Sequence, residues 1–403
     1  MRVNDQVLNR LRVLKAIRRA SPVSRIDLPD LTGLAAGTIT QLTSDLLKKG
    51  LIAERKESVR RGGRPRTNLE IDAGRWVVVG ASLAAQGILN AAFVDLMGNS
   101  LFAIQVQIER RSSLAELALG IADALEQAIE ASRFERSRIA RIGIAIPAVV
   151  DCHRGEVHFM MTYPVGPVPF AETIGDRLGL PVNMENDSVC MARAEHWFGR
   201  ATGLDTFSMI DVGLSIGSAD YVGGLPRFGA NGFNSEMAHT KVNLGVDARR
   251  CFCGARGCLT AYCSQYGLLA HAALLGAEPF PQTEIIAERF EQFLDRAEAG
   301  DEGARQLLKT AGLHLGCAVA NKINAADPGT VLILVPSRRF EALIEGPFQT
   351  ALRENTLSGI LPKTRILFAL SNAEWRWQGT AALALEQAYL SVSDTPLQLR
   401  EAV

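Results

Sequence analysis

Glu236-Met237-Ala238-His239 is followed, after eleven intervening residues, by Cys251-Phe252-Cys253-Gly254-Ala255-Arg256-Gly257-Cys258. One imidazole and three thiols make a Cys3His set, the composition of a closed structural zinc site. Gly254 and Gly257 let the chain turn tightly around a metal without steric cost. Seven cysteines are an odd count for a disulfide framework, and three of them fall within eight residues. Ordinary buried cysteines or a redox switch would be the alternative, and the clustering disfavours both. Cys152, Cys190, Cys263 and Cys317 are scattered and read as small apolar fillers.

Outward from this knuckle, strand and helix patterns alternate. Residues 76–82, 87–95 and 100–108 read as three strands, followed by a helix over 114–133 and a strand over 142–146 that ends at Pro147. A second strand–turn–strand unit spans 207–222 around Gly213-Leu214-Ser215-Ile216-Gly217, and helices dominate after Ser264. This weak twofold echo predicts two α/β lobes with a cleft between them, where small molecules usually bind. Glu185-Asn186-Asp187 follows the strand end Leu180-Pro181-Val182. A polar pair at the C-terminal end of a strand is where α/β folds place ligand contacts. A carboxylate beside an amide suits sugar hydroxyls, because one accepts and the other both donates and accepts. The same residues also fit a plain helix cap, with Asp187 or Ser188 capping a helix that runs through Trp197.

The N-terminal 75 residues differ in charge. They hold 16 Lys+Arg against 8 Asp+Glu, which leaves 27 against 35 for the rest of a chain with 43 of each. A basic head on an acidic body points to a polyanion partner for the head. Leu8, Leu11, Leu14 and Ile17 recur at helical spacing. Ser24, three residues before Asp27, resembles an N-cap of a short second helix ending at Thr32-Gly33, with Pro29 in an awkward place. Ile39, Leu42, Leu46 and Leu47 give the apolar face of a third helix closed by Gly50. Helix, glycine turn, helix is a helix-turn-helix. Strands around 51–54 and 67–71 flank Arg60-Arg61-Gly62-Gly63-Arg64-Pro65-Arg66, a wing whose Arg64, Pro65 and Arg66 suit the minor groove. The exposed side of the third helix offers Gly37, Thr38, Thr40, Gln41 and Ser44 to the major groove, with Arg25 nearby. A basic trihelical unit could instead bind a protein; the wing and the charge balance favour DNA.

Composition sets the outer bounds. Of 403 residues, 47% are hydrophobic and 21% charged, which excludes collagen, coiled coil and disorder. No apolar run reaches the roughly 18–20 residues that span a bilayer, and the N-terminus lacks a signal-peptide core, so a cytoplasmic protein is expected.

Several stretches together resemble the ROK family (repressors, open reading frames, kinases). They are Ser24-Arg25-Ile26-Asp27-Leu28 with Thr32-Gly33-Leu34, the Gly62-Gly63-Arg64-Pro65 wing, and the run from Pro181 through Val182, Asn183, Met184, Glu185 and Asn186 to Asp187. Glu195-His196-Trp197-Phe198-Gly199 also matches, and the His239 knuckle is the most specific piece. The resemblance covers nearly the whole chain, and the head-plus-body layout is similar to the family's transcriptional repressors. It implies a winged helix-turn-helix over 1–75 and a two-lobed, actin-like, sugar-kinase-type (ribonuclease H-like) α/β domain over 76–403. It further implies zinc on His239, Cys251, Cys253 and Cys258, and sugar contacts from Asn186, Asp187, Glu236 and His239. In the family's kinases the aspartate matching Asp187 is the base that activates the sugar hydroxyl.

The chain also departs from the family pattern. Where kinases carry Asp-x-Gly-Gly-Thr it reads Ser82-Leu83-Ala84-Ala85-Gln86; Leu214 interrupts the second phosphate turn, and Leu334-Val335-Pro336 replaces a Gly-Gly turn. Because phosphoryl transfer depends on positioning the nucleotide, no ATP binding and no enzyme activity are expected. Thr260 stands where sugar-binding members have Glu, Ala238 replaces Gly, and Pro147-Ala148 replaces Pro-Gly. The expectation is a zinc-containing repressor of carbohydrate genes, dimeric or tetrameric, on a palindromic operator and modulated by a sugar or sugar derivative. The rival readings are an effector-blind DNA-binding protein controlled by a protein partner, and a sugar kinase with a vestigial head.

Overall fold

In the computed structural model the described residues are 5–56, 67–84, 87–109, 111–161, 163, 166–275, 283–372 and 374–390. The head comprises α1 (Asp5–Ala20), β1 (Val23–Ser24), α2 (Leu28–Thr32), α3 (Ala36–Lys48), β2 (Ile52–Lys56) and β3 (Thr67–Ile71), with strand order β1-β3-β2. The helical stripe is buried at Leu11, Leu14 and Ile17, and the α3 face at Ile39, Leu42 and Leu46. Two local expectations change. Ser24 lies in β1, and Asp27 precedes α2 without a side-chain capping bond. Pro29 falls in the first turn of α2, where its missing N–H has no helical partner to lose. Gly33 takes the left-handed conformation (φ 69°) that ends α2. The wing residues Arg64, Pro65 and Arg66 lie outside the described residues.

The first lobe contains β4 (Val77–Leu83), β5 (Ile88–Asp95), β6 (Ser100–Gln107), α4 (Leu114–Ser132), β7 (Ile139–Ile146), β8 (Val149–Asp151), β9 (Glu156–Phe159), α5 (Phe170–Leu178), β10 (Val182–Asn186) and α6 (Asp187–Phe198). Its five-stranded sheet has the order β10-β7-β4-β5-β6, with β10, β7 and β4 parallel. β4 is buried along its whole length, as a central strand covered on both faces must be.

The second lobe repeats the plan. It runs β11 (Phe207–Val212), β12 (Ile216–Val222), β13 (Leu225–Pro226), α7 (Thr260–Cys263), α8 (Gln265–His271), α9 (Thr283–Glu298), α10 (Glu302–Ala326), β14 (Thr330–Val335), α11 (Arg338–Asn355) and β15 (Arg365–Leu370). The sheet order is β13-β12-β11-β14-β15. Each lobe has its own hydrophobic core.

The last helix, α12 (Glu374–Leu390), leaves the second lobe and returns to the first, against α6, β4 and β7. Glycines make the approach possible. A Cβ on Gly143 would lie 2.3 Å from the Thr380 carbonyl oxygen, and one on Gly379 would lie 1.8 Å from that of Cys190. The head seats on this helix: Leu14, Ile17, Trp197, Leu385 and Tyr389 belong to one continuous apolar cluster.

Candidate functional site

β10 and α6 meet at the cleft, and their junction carries the polar pair. Asn186 is the N-cap of α6: its Oδ1 accepts from the Ser188 amide at 2.9 Å, and its Nδ2 donates to the Ala148 carbonyl at 3.0 Å. The amide is therefore committed to holding the junction together, and the helix cap is Asn186, not the expected Asp187 or Ser188, which lie inside the helix. Asp187 opens the helix with its carboxylate toward the cleft, where Arg376 of α12 approaches to 3.7 Å. The same guanidinium lies 3.9 Å from Asp211 at the end of β11, so Arg376 bridges the two lobes.

Burial raises the carboxyl pKa of both Asp187 and Asp211, and Arg376 opposes the rise. Glu236, at the cleft edge, is raised by desolvation and by the Asp187 charge. Two carboxyl groups on one guanidinium, with Glu236 near enough to feel the Asp187 charge, favour a neutral, hydroxyl-bearing guest over an anion, since each additional negative charge is repelled at short range. Thr260 is buried, and its hydroxyl accepts from the Ile216 amide at 3.3 Å. It ties the second turn to the knuckle and does not face a guest. Sequence reasoning missed Arg376 and Asp211; a lone arginine between tryptophans 375 and 377 was the available signal.

The four knuckle residues converge. Their ligand atoms all lie within 4.8 Å of one another, with Cys253 Sγ 3.8 Å from Cys258 Sγ and Cys251 Sγ 3.7 Å from His239 Nδ1. Tetrahedral zinc with bonds of about 2.3 Å to sulfur and 2.0–2.1 Å to nitrogen sets ligand–ligand edges of about 3.8 and 3.6 Å. The donor set and spacing fit a metal such as zinc. Lys241 Nζ donates to Cys258 Sγ at 2.8 Å, an outer contact that offsets the negative charge of three thiolates. Burial pushes the Cys251 thiol up to about 12, and a bound cation would favour its thiolate. Gly257 fixes the turn: it sits at φ 75°, and a Cβ there would lie 1.9 Å from the Asn243 carbonyl oxygen.

A second group, Asp151, Glu156 and His158, also draws together on the β8–β9 hairpin. Asp151 Oδ1 already accepts from the His153 and Arg154 amides, and His158 packs edge-on against Phe233. These contacts make the group a staple of the hairpin.

On the head, Gly37, Thr40, Gln41 and Ser44 lie on the exposed side of α3, Thr38 is half-buried, and Arg25 pairs with Glu54 at 3.1 Å. The face opposite the buried Ile39, Leu42 and Leu46 is thus polar, small and open to solvent.

A family model described as "ROK family" matches residues 89–384, most of the chain. The chain belongs to the ROK family. Among its ROK relatives, a putative xylose repressor of Caldicellulosiruptor sp. (strain Rt8B.4) is 26% identical over 331 residues, covering 81% of this chain and 82% of that protein. The DNA-binding transcriptional repressor Mlc of Escherichia coli (strain K12) is 25% identical over 374 residues, covering 92% and 90%. A crystal structure of a ROK family transcriptional regulator, described as a homologue of E. coli Mlc, superposes with a TM-score of 0.78 at 25% identity, covering 96% of this chain and 97% of that one. A ROK glucokinase from Streptomyces griseus shares the fold at a TM-score of 0.59 and 23% identity; it covers 99% of itself but 76% of this chain.

Proposed function

We propose that this ROK protein is a DNA-binding transcriptional repressor of sugar-metabolism genes, with a winged helix-turn-helix head and a body that senses a sugar or sugar derivative. The observation that carries the reading is the extent of the structural likeness. A ROK transcriptional regulator is matched over nearly all of both chains, whereas a ROK glucokinase leaves about a quarter of this chain uncovered. The family match itself begins at residue 89, beyond the head.

The head would read an operator through Thr38, Thr40, Gln41 and Ser44 in the major groove, with Gly37 allowing close approach. Arg25 and the Arg64-Pro65-Arg66 wing would hold the backbone and minor groove. Paired heads on a homodimer, or a dimer of dimers, imply a palindromic operator with half-sites one helical turn or a multiple apart. His239, Cys251, Cys253 and Cys258 would hold zinc, whose chemistry here is structural: it closes the knuckle behind the cleft. Asp187 and Glu236 would take the hydroxyls of a sugar, and Asn186 would position the Asp187 helix start. His239, ligated through one nitrogen, can offer the other toward the guest. No phosphoryl transfer is proposed, because Ser82-Leu83-Ala84-Ala85-Gln86 and Leu214 stand where the family's kinases carry the Gly- and Thr-rich turns that hold a nucleotide's phosphates and metal.

One observation favours a second reading. Asp187 is already partnered by Arg376, which would let the cleft stay closed without a guest and leave control to a protein partner.

A thermal-shift panel of sugars, amino sugars and sugar phosphates, each with and without Mg-ATP, tests the proposal. A ligand that binds only the native state must raise the melting temperature at sufficient excess. An ATP-independent shift with one neutral sugar class, followed by a change in operator affinity with the same compound, is the expected result. No shift across the panel would transfer the reading to the effector-blind repressor, and a shift requiring ATP would make the chain a kinase.

A further inference from the structure

Beneath the head lies a run of buried charges that neither DNA reading nor sugar binding uses. Glu185, immediately before Asn186-Asp187, accepts two bonds from Arg193 Nη2, at 2.7 and 2.9 Å. Arg193 Nη1 pairs with Glu386 of α12. Glu386 in turn takes Lys15 Nζ of α1 at 3.0 Å and the Trp197 indole N–H at 2.6 Å. The side chains of Arg193 and Glu386 are each 2% exposed, that of Glu185 5% and that of Lys15 21%. Lys15 Nζ also lies 3.5 Å from His196 Nε2, and the His196 ring packs on Tyr221 of the second lobe at 4.9 Å. Beside it, Arg18 of α1 covers the Trp197 ring at 4.6 Å and donates to the Trp197 carbonyl at 3.1 Å.

We infer that Arg193 and Glu386 are positioning residues of a buried charge chain, Glu185–Arg193–Glu386–Lys15, that couples the cleft strand to the first helix of the DNA-reading head. The inference rests on the reading of the 185–187 junction as the effector site and of the head as the DNA-binding unit. Buried ion pairs add little net stability over apolar packing, but they hold a defined geometry because a displaced charge is left unpaired in a dry site. Each link therefore transmits a displacement that an apolar contact would absorb. A shift of the β10 end on ligand binding moves Glu185; Arg193 follows, and Glu386 must then re-seat Lys15 and Trp197 together. Close packing of α12 on Gly80, Gly143 and Cys190 leaves that helix no slack. Any coupling must also run in reverse, from head to cleft, with the same free energy.

The test uses the full-length, zinc-loaded protein without sugar or operator, read by amide hydrogen exchange. Lys15→Met removes the head's charge with similar volume, and Glu386→Gln keeps the shape and a bond to Trp197 if Lys15→Met unseats the head. Both are expected to raise exchange in the 182–190 segment by about two- to thirtyfold, the range carried by coupling through packed side chains. Arg55→Met, which breaks the exposed Arg55–Glu70 pair within the same head, is expected to leave that segment unchanged. In the other direction, Asp187→Asn should alter exchange in α1. Changes confined to α1 and its immediate contacts, or an equal spread from Arg55→Met, would overturn the inference. Because no sugar is present, a sugar-blind protein still shows the coupling if it exists. A sugar-responsive protein with purely local exchange would refute the charge chain alone.

Discussion

Replacing Arg193 with Met is the sharpest single perturbation this structure offers. The guanidinium satisfies two carboxylates in the interior, and their fates differ once it is gone. Glu386 keeps Lys15 and the Trp197 indole. Among the described residues Glu185 bonds through its side chain to Arg193 alone, and it would be left buried and unpaired. Breaking a buried pair on one side costs about 3–5 kcal/mol. At about 1.2 °C per kcal/mol for a chain of 403 residues, the melting temperature should fall by roughly 4–6 °C. Adding Glu185→Gln replaces the stranded charge with a neutral amide, whose unsatisfied burial costs about 1–3 kcal/mol. The double variant should therefore be more stable than Arg193→Met by about 2 kcal/mol. Urea titrations followed by tryptophan fluorescence measure all three proteins, since Trp197 reports the seam directly. If Arg193→Met lies within about 1 kcal/mol of the parent, or if Glu185→Gln brings no recovery, the assignment of Glu185 as the orphaned group is wrong.

Other outcomes follow from the same geometry. Cys253→Ser removes one of four converging ligands and is expected to abolish zinc retention through dialysis and to cost at least about 3 kcal/mol; unchanged metal content by atomic absorption would remove zinc from the knuckle. Gln41→Ala should weaken binding to a selected operator about five- to 150-fold, the loss expected of one bidentate base contact, while leaving a scrambled duplex unaffected in fluorescence anisotropy. An equal loss on both duplexes would place Gln41 on the backbone instead. Burial, reinforced by the charges of Lys15 and Arg193, pushes His196 down to about 3 from its ordinary 6.5. Below pH 6.5 the unfolded chain takes a proton that the native seam refuses, so this stability is complete above 6.5 and is lost as pH falls toward 3. His196→Phe should accordingly spare up to about 2 kcal/mol of the destabilisation seen between pH 7 and 5. Parallel pH profiles for the two proteins would refute this, and any metal lost from the knuckle would contribute to both alike.

Legibility in the sequence followed the range of the interactions. The knuckle was readable because His239, Cys251, Cys253 and Cys258 lie within twenty residues and their side chains have few other reasons to cluster. The α3 face was readable because Ile39, Leu42 and Leu46 repeat at the helical period, which leaves Gln41 and Ser44 on the opposite side. Ser24 was misplaced by a few residues because a Ser–x–x–Asp pattern is cheap, and tertiary pairing of β1 with β3 overrode it. The Asn186 cap and the Asp187 cleft contact could not be told apart locally, since both begin at the same junction. Arg193, Glu386 and Lys15 were invisible for another reason: they are separated by up to 371 positions, and no local pattern says that a charge will be buried. Glu386 alone left a trace, as the one acid in the Ala- and Leu-rich second half of its helix.

The return of α12 to the first lobe has a consequence for how the protein is made. The head is synthesised well before the helix on which it sits. About 350 residues separate α1 from α12, so at roughly 5–20 residues per second a nascent chain spends roughly 18–70 seconds with its head unseated. An interrupted chain that stops short of residue 374 carries all of α1 and α3 but neither Glu386 nor Tyr389 to dock the head. If the head reads DNA as proposed, such a fragment would occupy an operator while being deaf to the cleft, and α12 is the segment whose synthesis would make the chain controllable.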